Sequence, residues 1–203
     1  MFDKQEENRM NKLFVLMGKS ATGKDTIFKE VLKNKEVELK TIVPYTTRPI
    51  REGEKDGVEY YFVSSEKYAE MKNKGIVIES RDYNTIHGIW SYFTVEDWQF
   101  QGDGNYVMIN TLEGYEKIVE YFGTDKVVPI YVEVEDGLRL MRALERERQQ
   151  EIPKYTELCR RFLADSQDFS EEKLQKLGIK KRYQNIEKAS CVQEIAADIL
   201  AKI

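Results

Sequence analysis

Gly18-Lys19-Ser20-Ala21-Thr22-Gly23-Lys24 spaces two glycines by four residues and sets a lysine directly after the second. Glycines let the backbone curl until successive N–H groups face one hollow. The start of a following helix adds partial positive charge, and Lys24 supplies a mobile full charge suited to β- and γ-phosphates. A plain glycine-containing turn between strand and helix requires neither the lysine nor the spacing. The next residue in such a loop is normally Ser or Thr, whose hydroxyl meets Mg²⁺; here it is Asp25, then Thr26. The motif thus gives no direct metal ligand: Asp25 either reaches a metal through water or is only an acid at a helix start.

A second constellation lies in Tyr45-Thr46-Thr47-Arg48-Pro49-Ile50-Arg51-Glu52-Gly53-Glu54, continuing through Gly57 to Tyr60-Tyr61-Phe62-Val63. Two arginines three apart, an acid and tyrosines can grip a second phosphate. Guanidinium forks match phosphate oxygens, and phenol hydroxyls add neutral hydrogen bonds. A solvated charged loop is the alternative for charges taken singly. Further on, Arg139, Arg142, Arg146 and Arg148 lie in a helical stretch, with Arg160 and Arg161 past Pro153. Arg142 and Arg146 are i, i+4 neighbours on one face. Phosphoryl transfer needs cations brought in as a site closes; a solvated helix paired with Glu145 and Glu147 remains the alternative for Arg139 and Arg148.

The loop, the pattern Thr-Thr-Arg-x-x-Arg-x-Gly-Glu-x-x-Gly-x-x-Tyr-x-Phe-Val from Thr46 to Val63 and the later arginines together resemble guanylate kinase, in order over residues 13–200. The resemblance implies an α/β fold: a P-loop parallel sheet flanked by helices, an inserted small strand-rich GMP-binding lobe and a helical lid. Residues 12–43, 94–135 and 179–203 would form the core, 44–93 the nucleoside monophosphate lobe, and 136–178 the lid with its following helix. It implies transfer from ATP to GMP with Mg²⁺, giving ADP and GDP. Gly18 to Thr26 would cradle ATP, with Asn185 on the adenine side. Arg48, Arg51 and Tyr60 would hold the GMP phosphate, supported by Glu54. Glu79 would read guanine, whose N1–H and N2–H₂ offer two adjacent donors that adenine lacks. Lys24, Arg48, Arg142, Arg146 and Arg161 would act on the transferring group. The sequence departs from the family at Pro44-Tyr45, where serine is usual, at Asn110-Thr111, where two aspartates are usual, and at His87-Gly88-Ile89, where Tyr-Gly precedes a small hydroxyl residue. His87 either replaces the tyrosine as a phosphate or base contact, with Gly88 beside it, or is a surface histidine. Two rival readings are a kinase for another nucleoside or deoxynucleoside monophosphate, and a nucleotide-binding protein of this fold without turnover.

The elements that must place these groups alternate. Leu13–Met17 reads as a buried parallel strand, followed by the loop and a helix from about Thr26 to Lys35, then a strand at 40–43. Tyr60–Val63 and Ile76–Glu79 read as strands around a helix at Glu66–Lys74 that Gly75 ends. Thr94 with Asp97 reads as a helix-opening capping box. A strand at Tyr106–Asn110, a helix at Leu112–Phe122 and a strand at Val127–Val134 follow; Pro129 argues for irregular pairing. Residues 136–178 read as helical, 182–187 as a short strand, and Ser190 as the cap of a last helix. Residues 1–11 read as a mobile arm. Alternation of this kind argues for a parallel sheet covered on both faces.

Composition bounds the rest. A chain of 203 residues with 41% hydrophobic and 33% charged residues is globular and large enough to need no disulfide or metal staple. Its net charge of −4 speaks against binding nucleic acid or anionic membrane through its overall field. Two cysteines and a single histidine, His87, exclude a disulfide framework and a His-rich zinc site. The longest early apolar run is far shorter than the ~18 residues of a membrane span, and the N-terminus lacks a secretory signal pattern. The expected partners are therefore small nucleotides, ATP and GMP, and the expected location is the cytoplasm; oligomeric state is not implied.

Overall fold

The structure, a computed structural model, describes residues 10–85 and 88–203; the reading of His87 and the first nine residues of the expected arm lie outside them. Nine strands and seven α-helices alternate along the described residues. They are β1 (Met10–Met17), α1 (Lys24–Lys33), β2 (Leu39–Thr41), β3 (Tyr45–Thr46), β4 (Tyr61–Phe62), α2 (Ser65–Asn73), β5 (Val77–Thr85), β6 (Gly88–Val95), β7 (Gly104–Ile109), α3 (Leu112–Phe122), β8 (Val127–Glu133), α4 (Asp136–Arg148), α5 (Tyr155–Asp168), α6 (Glu171–Lys176), β9 (Tyr183–Gln184) and α7 (Lys188–Leu200). The larger sheet runs β2-β7-β1-β8-β9, with β2–β7 and β8–β9 parallel. This is the expected α/β architecture. Leu13 to Met17 are fully buried, as a strand covered on both faces demands. Pro129 falls where β8 has no β9 partner, because β9 pairs only with Val132 and Glu133. No helix among the described residues is long and apolar enough to cross a membrane.

Several boundaries differ from expectation. The arm reading fails at Met10 and Asn11, which already belong to β1, with Met10 buried. Thr94 opens no helix: it lies in β6, paired across to Glu79 on β5, and only a 3₁₀ turn at Trp98–Phe100 follows, capped by Asp97. β5 runs on through the polar stretch 80–85, where Asp82, Tyr83 and Asn84 are all exposed and no alternation of buried and exposed residues marks a strand. The last helix is capped by Glu187, whose carboxylate accepts from the Ala189 and Ser190 amides, rather than by Ser190.

The chain divides into two compact units. Among the described residues, one comprises those of Met1–Leu13, Leu39–Met108 and Glu116–Val127; the other comprises Phe14–Glu38, Ile109–Tyr115 and Val128–Ile203. In the first, a four-stranded sheet runs β4-β3-β6-β5. Tyr45, Phe93 and Val95 pack on one face with Tyr61, Tyr68, Met71 and Val77. Side chains alternate along a strand, so Thr46, Phe62, Tyr92 and Thr94 point to the other face. In the second, α7 packs on α1 and α5 on α4.

Candidate active site

In the second unit the loop between β1 and α1 has a backbone that only certain residues permit. A Cβ on Gly18 would lie 2.5 Å from the Val132 carbonyl oxygen and 2.9 Å from Thr22 Oγ1. Gly23 has φ 80°, and a Cβ there would lie 2.6 Å from Asn185 Nδ2. Thr22 N–H and Oγ1 both bond to the Lys19 carbonyl, at 3.3 and 2.9 Å, closing a four-residue turn around Ser20 and Ala21. Gly23 caps α1 without a side-chain hydrogen bond, so the helix start offers its amides beside Lys24. Lys24 Nζ stands 3.8 Å from the carboxylate of Asp25, which is exposed, as is Thr26.

Asn185, just past β9, supports this loop from beneath. Its side-chain amide donates to the Thr22 carbonyl at 2.7 Å, its backbone N–H to Glu133, and its carbonyl accepts from Arg142 at 3.1 Å. Lys19 pairs with Asp136 at 3.3 Å. Arg146 and Arg161 are exposed; Arg160 and Arg161 both bond to Glu157 at 2.7 Å, and the Arg160 hydrogen bond, followed by that of Arg161, lowers the Glu157 carboxyl to about 2. Arg139 is not the solvated residue one alternative foresaw: it is 1% exposed and lies against the loop.

In the first unit Arg48 is buried, and its Nη1 and Nη2 fork onto Glu54 at 2.9 and 2.8 Å. Nη1 also donates to the Pro49 carbonyl at 2.8 Å and Nε to the Tyr92 hydroxyl at 3.2 Å. The guanidinium lies over the rings of Tyr60 and Phe62, 5.5 and 5.4 Å from their centroids. Of its five N–H groups, these bonds use four and, among the described residues, leave one on Nη2. The Arg48 hydrogen bond outweighs burial and holds the Glu54 carboxyl below its ordinary value. Arg51 is exposed, while its backbone N–H donates to Glu54 at 2.8 Å. Glu54 therefore fixes the Arg48 guanidinium and the Arg51 backbone.

On the same sheet face, Thr94 Oγ1 donates to Glu79 Oε1 at 2.7 Å, and Arg81 Nε donates to Glu79 Oε2 at 3.1 Å. The Glu79 side chain is fully buried and Arg81 is 10% exposed, so Arg81 is the member of this pair that solvent touches. Arg81 stands across from Tyr92 in the β5–β6 ladder. Tyr92, Thr94 and Arg81 were missed by sequence reasoning; the period-two series Glu79, Arg81, Tyr83 and Trp90, Tyr92, Thr94 was the available signal. Gly88 is exposed at the start of β6, with φ 101°.

At Asn110-Thr111 the two polar residues start α3. Thr111 Oγ1 accepts from the Gly114 amide at 3.1 Å, and Asn110 Oδ1 from the Thr111 amide at 2.8 Å. A Cβ on Gly114 would come within 2.2 Å of Asn110 Oδ1, so the glycine makes room for this buried amide.

Residues 10–102 match the profile of the family described as guanylate kinase. Guanylate kinase of Malacoplasma penetrans is 37% identical over 79 residues, 39% of this chain and 40% of that one. Guanylate kinase of Clostridioides difficile is 46% identical over 77 residues, 37% of each. The aligned stretch thus spans well under half the length of these relatives. Over nearly the whole chain the fold is similar to the crystal structure of guanylate kinase from Anaplasma phagocytophilum, with TM-score 0.64 and 20% identity, covering 97% of this chain and 88% of that one.

Proposed function

We propose that this chain, whose residues 10–102 match the guanylate kinase family, transfers the terminal phosphoryl group of ATP to GMP. The observation that carries the reading is the β4-β3-β6-β5 sheet, which gathers the hydrogen-bonded Arg48, Glu54 and Tyr92 together with the Glu79–Arg81–Thr94 cluster. A cation for one end of a ligand and a hydrogen-bonding pair for the other suit a nucleoside monophosphate. Arg51, Tyr60 and the spare Nη2–H of Arg48 hold its phosphate; Glu79 and Arg81 read its base, while Gly88 stands opposite Thr85 at the far end of the β5–β6 pairing.

Gly18 to Thr26 cradle the ATP phosphates through loop and helix amides, with Lys24 as the mobile charge and Asn185 on the adenine side. A GMP phosphate oxygen forms a bond to the γ-phosphorus as the bond to the β–γ bridging oxygen breaks, and ADP leaves. No side-chain nucleophile or base is needed; positioning and charge neutralisation carry the catalysis. Arg142, Arg146 and Arg161 stabilise charge on the transferring oxygens. In this reading 136–178 act as lid, 44–93 as acceptor lobe and the remainder as core. Mg²⁺ is bound largely by phosphates and waters with one or two carboxylates; Asp25 would be the carboxylate to reach it, through water. The ion, when bound, would offset phosphate charge.

The test is ADP release with GMP, AMP, CMP, UMP and their deoxy forms as acceptors. GMP should be used best, with Mg²⁺ required. No acceptor-dependent ADP from any of them, while ATP still binds, would refute the proposal.

A further inference from the structure

Ser20 sits in the phosphate loop, and its two flanking peptide groups are both held by the helices that follow β8. Its N–H donates to Asp165 Oδ2 of α5 at 2.8 Å, and its carbonyl accepts from Arg139 Nη1 of α4 at 3.3 Å. The same Nη1 pairs with Asp165 Oδ2 at 3.2 Å, and Nε pairs with Asp136 Oδ1 at 3.0 Å. Phe162 lies under the guanidinium, 4.0 Å from centroid to Cζ. An arginine so placed is poor stability material: Nη2 is buried with no hydrogen-bond partner among the described residues, and buried ion pairs roughly break even against apolar packing.

The neighbouring residue explains what such a pair achieves. Ala21 has φ 63°, the left-handed region that a residue with a Cβ disfavours. It occupies the third position of the turn closed by Thr22 N–H on the Lys19 carbonyl, where glycine is the usual residue. The φ angle of Ala21 is the orientation of the peptide plane bearing the Ser20 carbonyl. Holding that carbonyl, and the amide before it, fixes φ directly. Strained residues persist where their surroundings over-determine them.

We propose that Arg139 and Asp165 are positioning residues that clamp Ser20 and so hold the phosphate loop, through Ala21, in its nucleotide-accepting shape. The inference rests on the reading of this loop as the ATP site. It concerns how α4 and α5 serve the loop, not the transferring group.

The experiment measures ATP binding by calorimetry and the KM for each nucleotide in wild type, Asp165→Ala, Asp165→Asn and Asp165→Ala with Ala21→Gly. Asp165→Ala should weaken ATP binding roughly tenfold, equivalent to about 1.4 kcal/mol, within the left-handed cost of one residue. The KM for GMP should stay within about twofold. Asp165→Asn, which keeps an oxygen for the Ser20 amide but drops the charge facing Arg139, should fall between and serves if the alanine variant does not fold. Ala21→Gly should recover most of the lost ATP affinity in Asp165→Ala, because glycine needs no clamp at that φ; a general loss of packing would not be rescued this way. Unchanged ATP affinity in both Asp165 variants, or no recovery with glycine, overturns the clamp. Failure of the wild type itself to bind ATP would instead overturn the assignment of the loop.

Discussion

Arg48→Ala and Arg51→Ala should separate into different kinds of defect, although the two residues sit three apart in one motif. Arg48 loses a forked pair to Glu54, a bond to the Pro49 carbonyl and one to Tyr92. Breaking a buried ion pair costs about 3–5 kcal/mol. Glu54 keeps 18% of its side chain exposed and is partly rehydrated in the variant, so the low end, about 3 kcal/mol, is appropriate. For a chain of this size that lowers Tm by roughly 6–12 °C. Arg51 is exposed, and its truncation should move Tm by no more than a surface change does, about 0.5 kcal/mol. Losing one charge-assisted phosphate contact should raise the KM for GMP by the equivalent of about 1.5–3 kcal/mol, roughly 10- to 150-fold, and leave the KM for ATP alone. Thermal unfolding by circular dichroism and initial rates with GMP varied at saturating ATP decide the matter. An Arg48→Ala protein with wild-type Tm would refute the structural role of the fork. An Arg51→Ala protein weakened equally for both nucleotides would refute the acceptor grip.

Arg81→Ala and Glu79→Gln should both reduce the preference for GMP over AMP, CMP and UMP, since each breaks the pair that presents a donor–acceptor pattern to the base; selectivity unchanged in both would remove the pair from base reading. Lys24→Ala should lower turnover at least ~10²-fold without unfolding the protein, whereas Arg142→Ala and Arg161→Ala should lower kcat more than they raise KM; a pure KM effect at the latter two would contradict action on the transferring group. Glu54, with its carboxyl held below the ordinary 4.5 by Arg48, contributes stability that is complete above that pH and lost as pH falls through its lower folded value. Wild-type Tm should therefore drop more steeply in acid than that of Glu54→Gln, and parallel curves would show that the pair carries no such linkage.

The strand, turn and helix around Gly18 to Lys24 were legible because their glycines and apolar strand are local, and α1 begins at Lys24 with only a two-residue difference. The pairing of Arg48 with Glu54 was legible from their closeness in the motif, but not the bond to Tyr92, which lies far along the chain and reaches Arg48 through the β3–β6 pairing. Thr94 misled because Thr followed by Asp three positions on is a true helix-start signal, overridden here by pairing in β6. Asp165 gave no signal, and Arg139 stood out only as one of several helical arginines, since a charged residue on an amphipathic helix looks solvated until its partner across the fold is known.

The bond from Asn185 to the Thr22 carbonyl joins residues 163 apart in sequence. During synthesis, the phosphate loop leaves the ribosome long before the residue that props it. A growing chain can pair β3, β4, β5 and β6 among themselves, all within about fifty residues of one another, while the loop between β1 and α1 still lacks its floor. Competence for nucleotide should thus arrive late and abruptly, with the emergence of β9 and the segment after it, and ATP should offer no shelter to nascent chains that stall before that point.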